Sequence, residues 1–178
     1  FTPKTDYTVK YNGTSLTSWS DKDSSSVAAA GELEAVFHPI FSGSFLVDYT
    51  PYKYKDGTKG DSSITFMVMP KARTQFGLWA GLGLGLNKTS IGQTSASQGT
   101  TSITLDNGSL TSFIISPRIG YDFEIGKGTT LGGVLSYYSG SNDTTASVVD
   151  TSVPYTGKVN YEYSRSWWSF VARVGFDL

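Results

Sequence analysis

Apolar residues alternate with polar ones through most of this sequence, and that period of two limits most strongly what the chain can fold into. The clearest case is "SFIISPRIGYDFEI" at residues 112–125, whose odd positions from Phe113 to Ile125 are all apolar or aromatic. Its even positions are mostly serine, glycine or charged residues. The segment 167–178 repeats the pattern, and no stretch has a convincing helical period. The alternation predicts an all-β protein.

The alternating segments predict eight strands, at residues 5–19, 26–37, 40–52, 62–71, 75–87, 110–125, 129–140 and 160–178. The connections near 38–39, 72–74 and 126–128 are tight. Those at 20–25, 53–61, 88–109 and 141–159 are longer and rich in Ser, Thr, Gly, Asn and Asp. Short turns on one side and long polar loops on the other are typical of bacterial outer-membrane barrels. We therefore predict one domain, residues 1–178: an eight-stranded antiparallel up-and-down transmembrane β-barrel with both termini in the periplasm.

The stretch "WAGLGLGLN" at residues 79–87 has two opposite interpretations. A dinucleotide-binding loop needs G-x-G-x-x-G between a strand and a helix. Here Leu86 stands where the third glycine should be, and no helical pattern follows. The stretch is therefore predicted to be a strand with a leucine face and a nearly bare face. The glycines are either spacers for large neighbours inside a narrow barrel or the lining of a groove.

The polar face of the strands is predicted to point inward, because an arginine facing lipid at the midplane costs about 2–4 kcal/mol. Residue parity puts Arg118 and Arg173 on that face. The predicted inner charge network, which has a structural role, consists of Glu32, Glu34, Asp48, Arg118, Asp122, Glu124 and Arg173. Trp79 and Trp167 should fill much of the remaining interior.

Aromatic residues gather near the predicted strand ends, as the girdles of a membrane barrel require. The group expected toward the long loops is Tyr49, Tyr52, Tyr137, Tyr161 and Tyr163. The group expected toward the short turns is Phe41, Phe76, Phe123 and Phe176.

Two features of the sequence do not fit a regular barrel. Pro117 lies inside the best strand, where a closed barrel offers no free edge for a residue without an N–H, and a bulge there is the expected remedy. The segment 102–112 carries an Asn-Gly pair between alternating residues, a strong hairpin signal. Either the third long loop continues as a ribbon above the membrane, or the boundaries of the fifth and sixth strands are wrong.

Composition and residue inventory exclude several functions. The net charge of −1 gives no electrostatic case for nucleic acid, and with no cysteine there is no thiolate metal site. The one histidine, His38, lies in a tight turn, where it is expected to be an ordinary turn residue. Glu32 and Glu34 could do acid–base chemistry, but an ion-pair network is the simpler interpretation. We predict a non-enzymatic protein with no catalytic residue, no cofactor and no metal.

The ending "WWSFVARVGFDL" resembles the C-terminal strand by which small outer-membrane barrels are recognised for assembly. With the eight-strand pattern, it makes the chain similar to the OmpA transmembrane-domain and OmpX type. Members of that group usually end on an aromatic residue, whereas this chain ends on Leu178, with Phe176 two residues earlier. The first residue is Phe1 rather than Met, as expected of a processed protein. The resemblance implies a bacterial outer-membrane location.

A soluble β-sandwich or lipocalin-like barrel remains the competing fold, with its apolar face inward. For the membrane barrel we predict a structural or surface-interaction role, in adhesion or recognition, through the extracellular loops. The alternative is a narrow pore for ions or small solutes. The expected partners are outer-membrane lipid and lipopolysaccharide, and a surface ligand or host component at loops 88–109 and 141–159. The protein is expected to be a monomer and not to bind nucleic acid.

Overall fold

The computed structural model of the chain describes residues 4–11, 14–22, 28–51, 62–90, 95–98, 101–105, 109–150 and 155–177. They form one sheet in which every pairing between neighbouring strands is antiparallel. The prediction of an all-β, antiparallel architecture is therefore confirmed. The strands are β1 (Lys4–Tyr11), β2 (Thr14–Lys22), β3 (Ala29–His38), β4 (Phe41–Pro51), β5 (Ser62–Arg73), β6 (Leu78–Ser90), β7 (Ser95–Gln98), β8 (Thr101–Leu105), β9 (Ser109–Gly126), β10 (Thr129–Asp150) and β11 (Tyr155–Phe176).

The strands follow an up-and-down order, with β2-β1-β11-β10-β9-β6-β5-β4-β3 as the main path. The last seven predicted strands correspond to β3, β4, β5, β6, β9, β10 and β11. The sheet is curled. This is shown by Arg173 on β11, which approaches Glu32 and Glu34 on β3, six strands away along the path. These seven strands surround a common interior.

The first predicted strand, 5–19, is wrong: it is the hairpin of β1 and β2. Tyr11 ends β1 opposite Thr14 at the start of β2, and the two residues between them are Asn12-Gly13. Asn-Gly is the preferred pair for a two-residue hairpin connection, and that signal outweighs the alternation around it. Lys4 pairs with Ser166, midway along β11. The start of β1 therefore lies away from the short turns, whereas Phe176 pairs with Thr129 beside one of them.

Two of the predicted long loops, 88–109 and 141–159, are largely strand. The strands β10 and β11 are 22 residues each and remain paired from Thr129–Phe176 to Asp150–Tyr155. Together with the short strands they form a second sheet region, in the order β2-β1-β11-β10-β8-β7. We call this region the upper ribbon. It comprises β1, β2, β7, β8, residues 142–150 of β10 and residues 155–163 of β11.

The hairpin expected at the Asn-Gly pair of 102–112 is also wrong. The strands β8 and β9 lie one after the other along the same side of β10, at residues 146–150 and 129–141 respectively. The hairpin instead joins β7 to β8, where Gln98 pairs with Thr101. The part of the prediction that placed a ribbon in this loop agrees with β7 and β8.

No bulge occurs at Pro117, in contrast to the prediction. The register between β9 and β10 is the same on both sides of it, from Ser136–Arg118 to Ser139–Ile115, and only the two intervening pairs are missing from the ladder. On its other side Pro117 pairs with Leu82 of β6. The sheet thus tolerates the missing N–H by interrupting one ladder locally, and the irregularity between β9 and β10 lies at Thr129 instead.

The three tight turns are confirmed at residues 39–40, 74–77 and 127–128. Gly77 and Gly128 have φ values of 94° and 71°, a region that favours glycine. The carbonyl of Gly77 accepts a hydrogen bond from the Asp122 amide at 3.0 Å, which ties the turn to β9. Within the described ranges there is no helix long and apolar enough to cross a membrane.

Candidate functional site

The sheet is apolar on its outer surface and polar inside. On β5, Ile64, Phe66 and Val68 are exposed, whereas Ser63 and Thr65, which alternate with them, are 2% and 1% exposed. The same inversion holds on β6 and β9, where exposed leucine, isoleucine and phenylalanine alternate with buried glycine, serine and arginine. A soluble protein buries the first set and solvates the second. The outer surface is therefore suited to an apolar surrounding and the interior to polar contacts.

Six charged side chains gather in the interior near the short turns. Lys71, whose side chain is fully buried, contacts Glu32 and lies 2.8 Å from Glu34. Arg73 contacts the other oxygen of Glu34 at 2.7 Å. We call the group of Glu32, Glu34, Lys71, Arg73, Asp122 and Arg173 the basal charge cluster.

Arg173 joins the two sides of this cluster. Its guanidinium lies 3.7 Å from Glu32, 3.8 Å from Glu34 and 3.5 Å from Asp122. The three acids and three bases balance one another in charge. Such balance is what a low-dielectric interior requires, because an unpaired buried charge loses its hydration without compensation.

Trp79 covers the basal charge cluster. Its ring is 2% exposed, with the Lys71 ammonium 4.5 Å and the Arg173 guanidinium 5.6 Å from its centroid. Both distances allow cation–π attraction. Gly120 on β9 makes this position possible, since a β-carbon there would overlap the indole ring.

The glycines of β6 are packing spacers, which settles the choice that the sequence left open. A β-carbon at Gly83 would overlap the sulfur of Met67, and one at Gly81 would come within 2.9 Å of the sulfur of Met69. Both methionines are 1% exposed. The bare face of β6 therefore lets two large side chains of β5 fill the interior.

A second polar group lies further from the short turns. Asp48 is 4% exposed and accepts hydrogen bonds from Thr50 at 2.8 Å and from the Tyr138 hydroxyl at 3.1 Å. The Tyr138 ring stacks on Trp167, with centroids 4.7 Å apart and planes 3° from parallel. Between this group and the basal charge cluster, Arg118 donates a hydrogen bond to Ser136 at 2.7 Å.

The structure brings together four of the seven predicted network residues: Glu32, Glu34, Asp122 and Arg173. Asp48 and Arg118 are buried elsewhere in the interior. Glu124 does not belong to the interior, because it is exposed near the end of β9.

Sequence reasoning missed Lys71 and Arg73. Lys71 was placed at the end of a strand and Arg73 in a turn, so neither was assigned a face. A parity signal was available for Lys71: it continues the inward series of Ser63, Thr65, Met67 and Met69 on β5. A lysine in such a series is expected to need a buried partner.

The girdle aromatics whose side chains the structure describes fall into three groups. Exposed on the outer surface are Tyr49, Phe41, Phe76, Phe123 and Phe176. Tyr137 is half-buried and packs against Trp168, with centroids 5.0 Å apart. Tyr163 is a correction: it is 2% exposed, faces the interior, and accepts a hydrogen bond from Arg165 at 3.3 Å. Tyr52 and the side chain of Tyr161 lie outside what the structure describes.

In the described part of the chain, the residues considered for acid–base chemistry have structural surroundings. His38 is exposed in its turn, with Nδ1 3.4 Å from the amide of Ile40. Glu32 and Glu34 are both engaged by Lys71. Across the residues that the structure describes, no three His, Cys, Asp or Glu side chains are grouped to hold a metal ion.

Comparisons with known proteins add one structural likeness. No family model matches the sequence, and no curated protein matches it. Among solved structures, the chain is similar to the outer membrane protein OprG from Pseudomonas aeruginosa, at 12% sequence identity and a TM-score of 0.46. The alignment covers 99% of this chain and 94% of that one.

Proposed function

We propose that this protein is a non-enzymatic β-barrel of a bacterial outer membrane, with a structural or surface-interaction role. The observation that carries the proposal is the inverted polarity: an outer surface of leucine, isoleucine, valine and phenylalanine around a charged and hydroxyl-rich interior. In water such an outer surface would be an aggregation hazard, whereas hydrocarbon requires it. The short-turn end faces the periplasm and the upper ribbon projects from the cell surface.

The bilayer contact can be tested with the tryptophans, two of which face opposite ways. Trp168 is 48% exposed on the outer surface, and Trp79 is 2% exposed in the interior. Two variants each keep one of these as the single tryptophan, with phenylalanine at the other three positions. After refolding into vesicles with brominated acyl chains, we expect strong quenching of Trp168 and little of Trp79.

Two outcomes would contradict the membrane proposal. The first is equal, weak quenching of both tryptophans. The second is a chain that stays soluble without detergent and shows no difference in gel mobility between boiled and unboiled samples. A folded outer-membrane barrel should show that difference, because detergent alone does not unfold it at room temperature.

The upper ribbon is the part that we propose to meet lipopolysaccharide and a surface ligand or host component. Its β10–β11 portion, beyond the Ser141–Ser164 pair, continues the barrel's own hydrogen-bonded ladder. Nine further residues of β10 extend it by about 30 Å at about 3.3 Å per residue. The sequence there is rich in Ser, Thr, Asn and Tyr, which suits hydrogen bonding to glycans.

A shortened variant tests this role. Replacing residues 142–163 by Asn-Gly joins two residues that already pair, Ser141 and Ser164. We expect the variant to keep its heat-dependent gel shift, since the lower seven strands are unchanged, and to lose binding to lipopolysaccharide or to host cells. Retained binding would rule out the β10–β11 portion of the ribbon as the contact surface. We propose a monomer, which size-exclusion chromatography with light scattering would check.

The alternative is a narrow pore. One observation favours it: the inward hydroxyl of Ser116 is buried and has no hydrogen-bond partner among the described residues, which makes it hydratable. Against it, Trp79 and the two methionines occupy the interior at the same level. Planar-bilayer recordings should show no stable openings. Openings that widen in Trp79→Ala would favour the pore instead.

A further inference from the structure

A recess lies on the outer surface where β9, β10 and β11 leave the apolar part of the sheet. Its volume is about 320 Å³, at the lower end of the range of small-molecule sites. It is lined by Phe113 and Ile115 of β9, by residues 137 and 139–141 of β10, and by residues 164–166 of β11. The recess is therefore formed by three neighbouring strands and faces the surroundings of the barrel rather than its interior.

The border between apolar and polar outward residues crosses this recess. Tyr137 of β10 pairs with Trp168 of β11, and these are the uppermost outward aromatic residues on their strands. The next outward pair toward the upper ribbon is Ser139–Ser166. On β9 the apolar outward residues continue to Phe113. In a membrane barrel such a border, with aromatic residues beside it, marks the edge of the hydrocarbon.

The tilt of the strands makes this part of the surface concave. In a tilted barrel the residues paired across two strands lie at different depths, so an apolar residue can stand beside a polar one. The pairs Phe113–Ser141 and Ile115–Ser139 place two large side chains of β9 beside two small ones of β10. Both of these serines pair in turn with serines of β11. The recess thus has an apolar wall on one side and a floor of hydroxyl groups.

The chemistry of the recess is uncharged and suited to hydrogen bonding. The floor carries four outward serines, Ser139, Ser141, Ser164 and Ser166. Tyr137 lines its lower end and packs against Trp168, with ring centroids 5.0 Å apart. Arg165 also borders the recess, but its side chain is 4% exposed and donates a hydrogen bond to Tyr163 on the inner face. Hydroxyls beside an aromatic ring and an aliphatic wall fit an amphipathic, sugar-like ligand.

A cation lies near the recess on the same border. Lys88 of β6 is exposed and is the next outward residue above Leu86. Leu86 pairs with Phe113, and Lys88 pairs with Thr111, one outward position higher on β9. From the spacing of strands and residues, the α-carbons of Lys88 and Ser141 are about 12 Å apart. A lysine side chain and a phosphorylated sugar together span such a distance.

We propose that the recess binds the acylated sugar of a lipopolysaccharide, with Lys88 at one of its phosphates. This rests on the proposed outer-membrane location, because the border then lies in the leaflet that holds this lipid. The acyl chains continue along Phe113 and Ile115 onto the apolar surface, and the ring hydroxyls and amides bond to the serine floor. A glycerophospholipid would offer acyl chains and a phosphate but no ring for that floor. The upper ribbon, above the border, is left for the longer sugar chains and for host contact.

The test compares two lipids in detergent micelles. One is lipid A, the acylated and phosphorylated sugar without its polysaccharide, and the other is phosphatidylglycerol. The probe is the chain that keeps Trp168 as its single tryptophan, because this ring packs against Tyr137 at the lower end of the recess. We expect a saturable change of its emission with lipid A, at a concentration at least tenfold below any response to phosphatidylglycerol. Equal affinity for both lipids would make the recess a general lipid contact and overturns the proposal.

A matched pair of variants in the same background locates the binding. Ser139→Leu fills the floor of the recess, and Thr111→Leu makes a similar change at the border on β9, outside the lining. Both add an apolar side chain beside an apolar surface, so both should keep the heat-dependent gel shift. We expect Ser139→Leu to weaken lipid A binding at least tenfold and the control to weaken it less than twofold. Equal effects overturn the proposal.

Two further variants keep the shape of the recess. Ser141→Ala combined with Ser164→Ala removes two hydroxyls and should weaken lipid A binding at least about fivefold, whereas unchanged binding overturns the hydroxyl floor. Lys88→Gln should weaken lipid A binding about threefold and leave binding of dephosphorylated lipid A unchanged. The same loss with both forms of the lipid overturns the contact between Lys88 and a phosphate.

These outcomes separate the recess from the proposed function. A chain that shows the gel shift and quenching by brominated acyl chains, but no response to lipid A, keeps the membrane location and loses the recess. A chain that is soluble without detergent, and binds lipid A in a manner that Ser139→Leu abolishes, keeps the recess and loses the location. The variant with residues 142–163 replaced retains all four serines, so it should bind lipid A like the full chain. Loss of lipid A binding in that variant would place the site in the ribbon and overturn the proposal.

Discussion

An arginine placed at the centre of the outer surface should destabilise the protein by an amount that depends on depth. Val68 is the middle of the outward residues of β5 and is flanked by Phe45 on β4 and Leu84 on β6. All three side chains are exposed. If lipid surrounds them, Val68→Arg costs about 2–4 kcal/mol. That loss lowers the ratio of folded to unfolded protein by about 30- to 700-fold.

Ala72→Arg is the matched control, on the same strand and the same face. It lies four residues nearer the short turn, about 13 Å along the strand and about 10 Å in depth at the usual tilt. Near the interface the cost of arginine falls to about 0–1 kcal/mol. The assay is urea unfolding in lipid vesicles, followed by tryptophan fluorescence. A loss below about 0.5 kcal/mol in both variants, as at exposed positions that face water, would show that lipid does not surround this surface.

Three further predictions concern the interior and use the same unfolding assay. Lys71→Met should cost about 3–5 kcal/mol, because it removes the fully buried cation that both glutamates share and leaves one negative charge of the cluster uncompensated. Arg73→Met, at the more exposed rim of the cluster, should cost about 1 kcal/mol or less, and equal losses would show that Lys71 is not the central cation. Gly83→Ala should cost about 1–3 kcal/mol, because the added methyl group overlaps the sulfur of Met67. The control Gly31→Ala should be neutral, since nothing lies within 4 Å of its added methyl group. A neutral Gly83→Ala would contradict the spacer role. Tyr138→Phe should cost about 1–3 kcal/mol, because the buried Asp48 carboxylate loses a hydrogen bond. An unchanged urea midpoint would mean that water replaces the lost hydroxyl as the donor to Asp48.

The alternating segments predicted seven of the strands because each buries one face and leaves the other on the outer surface. The first segment failed because its alternation is weak and Asn12-Gly13 divides it. The lengths of β10 and β11 could not be predicted, since their upper halves are ordered by backbone pairing with neighbours distant in sequence.

Within the interior, parity identified the side that each charge faces but not its partner. Glu32 and Arg173 are 141 positions apart in the chain, and only the curl of the sheet brings them together. Tyr163 was assigned to a girdle from residue type alone, although its spacing of four residues from Trp167 puts both on the inner face. The methionines of β5 gave no signal, because the glycines opposite them had no assigned neighbour until the register of β5 and β6 was known.

The uninterrupted pairing of β10 with β11 has a mechanical consequence. The register holds over all 22 residues of each strand, a length of about 70 Å, with no shift between the short turn and the tip. There is thus no hinge in the ladder between the part inside the barrel and the part above it. A force applied at the tip would tilt the whole hairpin as a lever, rather than fold the ribbon over a ligand. A molecule that binds there meets a surface already in its final shape, so recognition should be fast, with little conformational ordering left to complete.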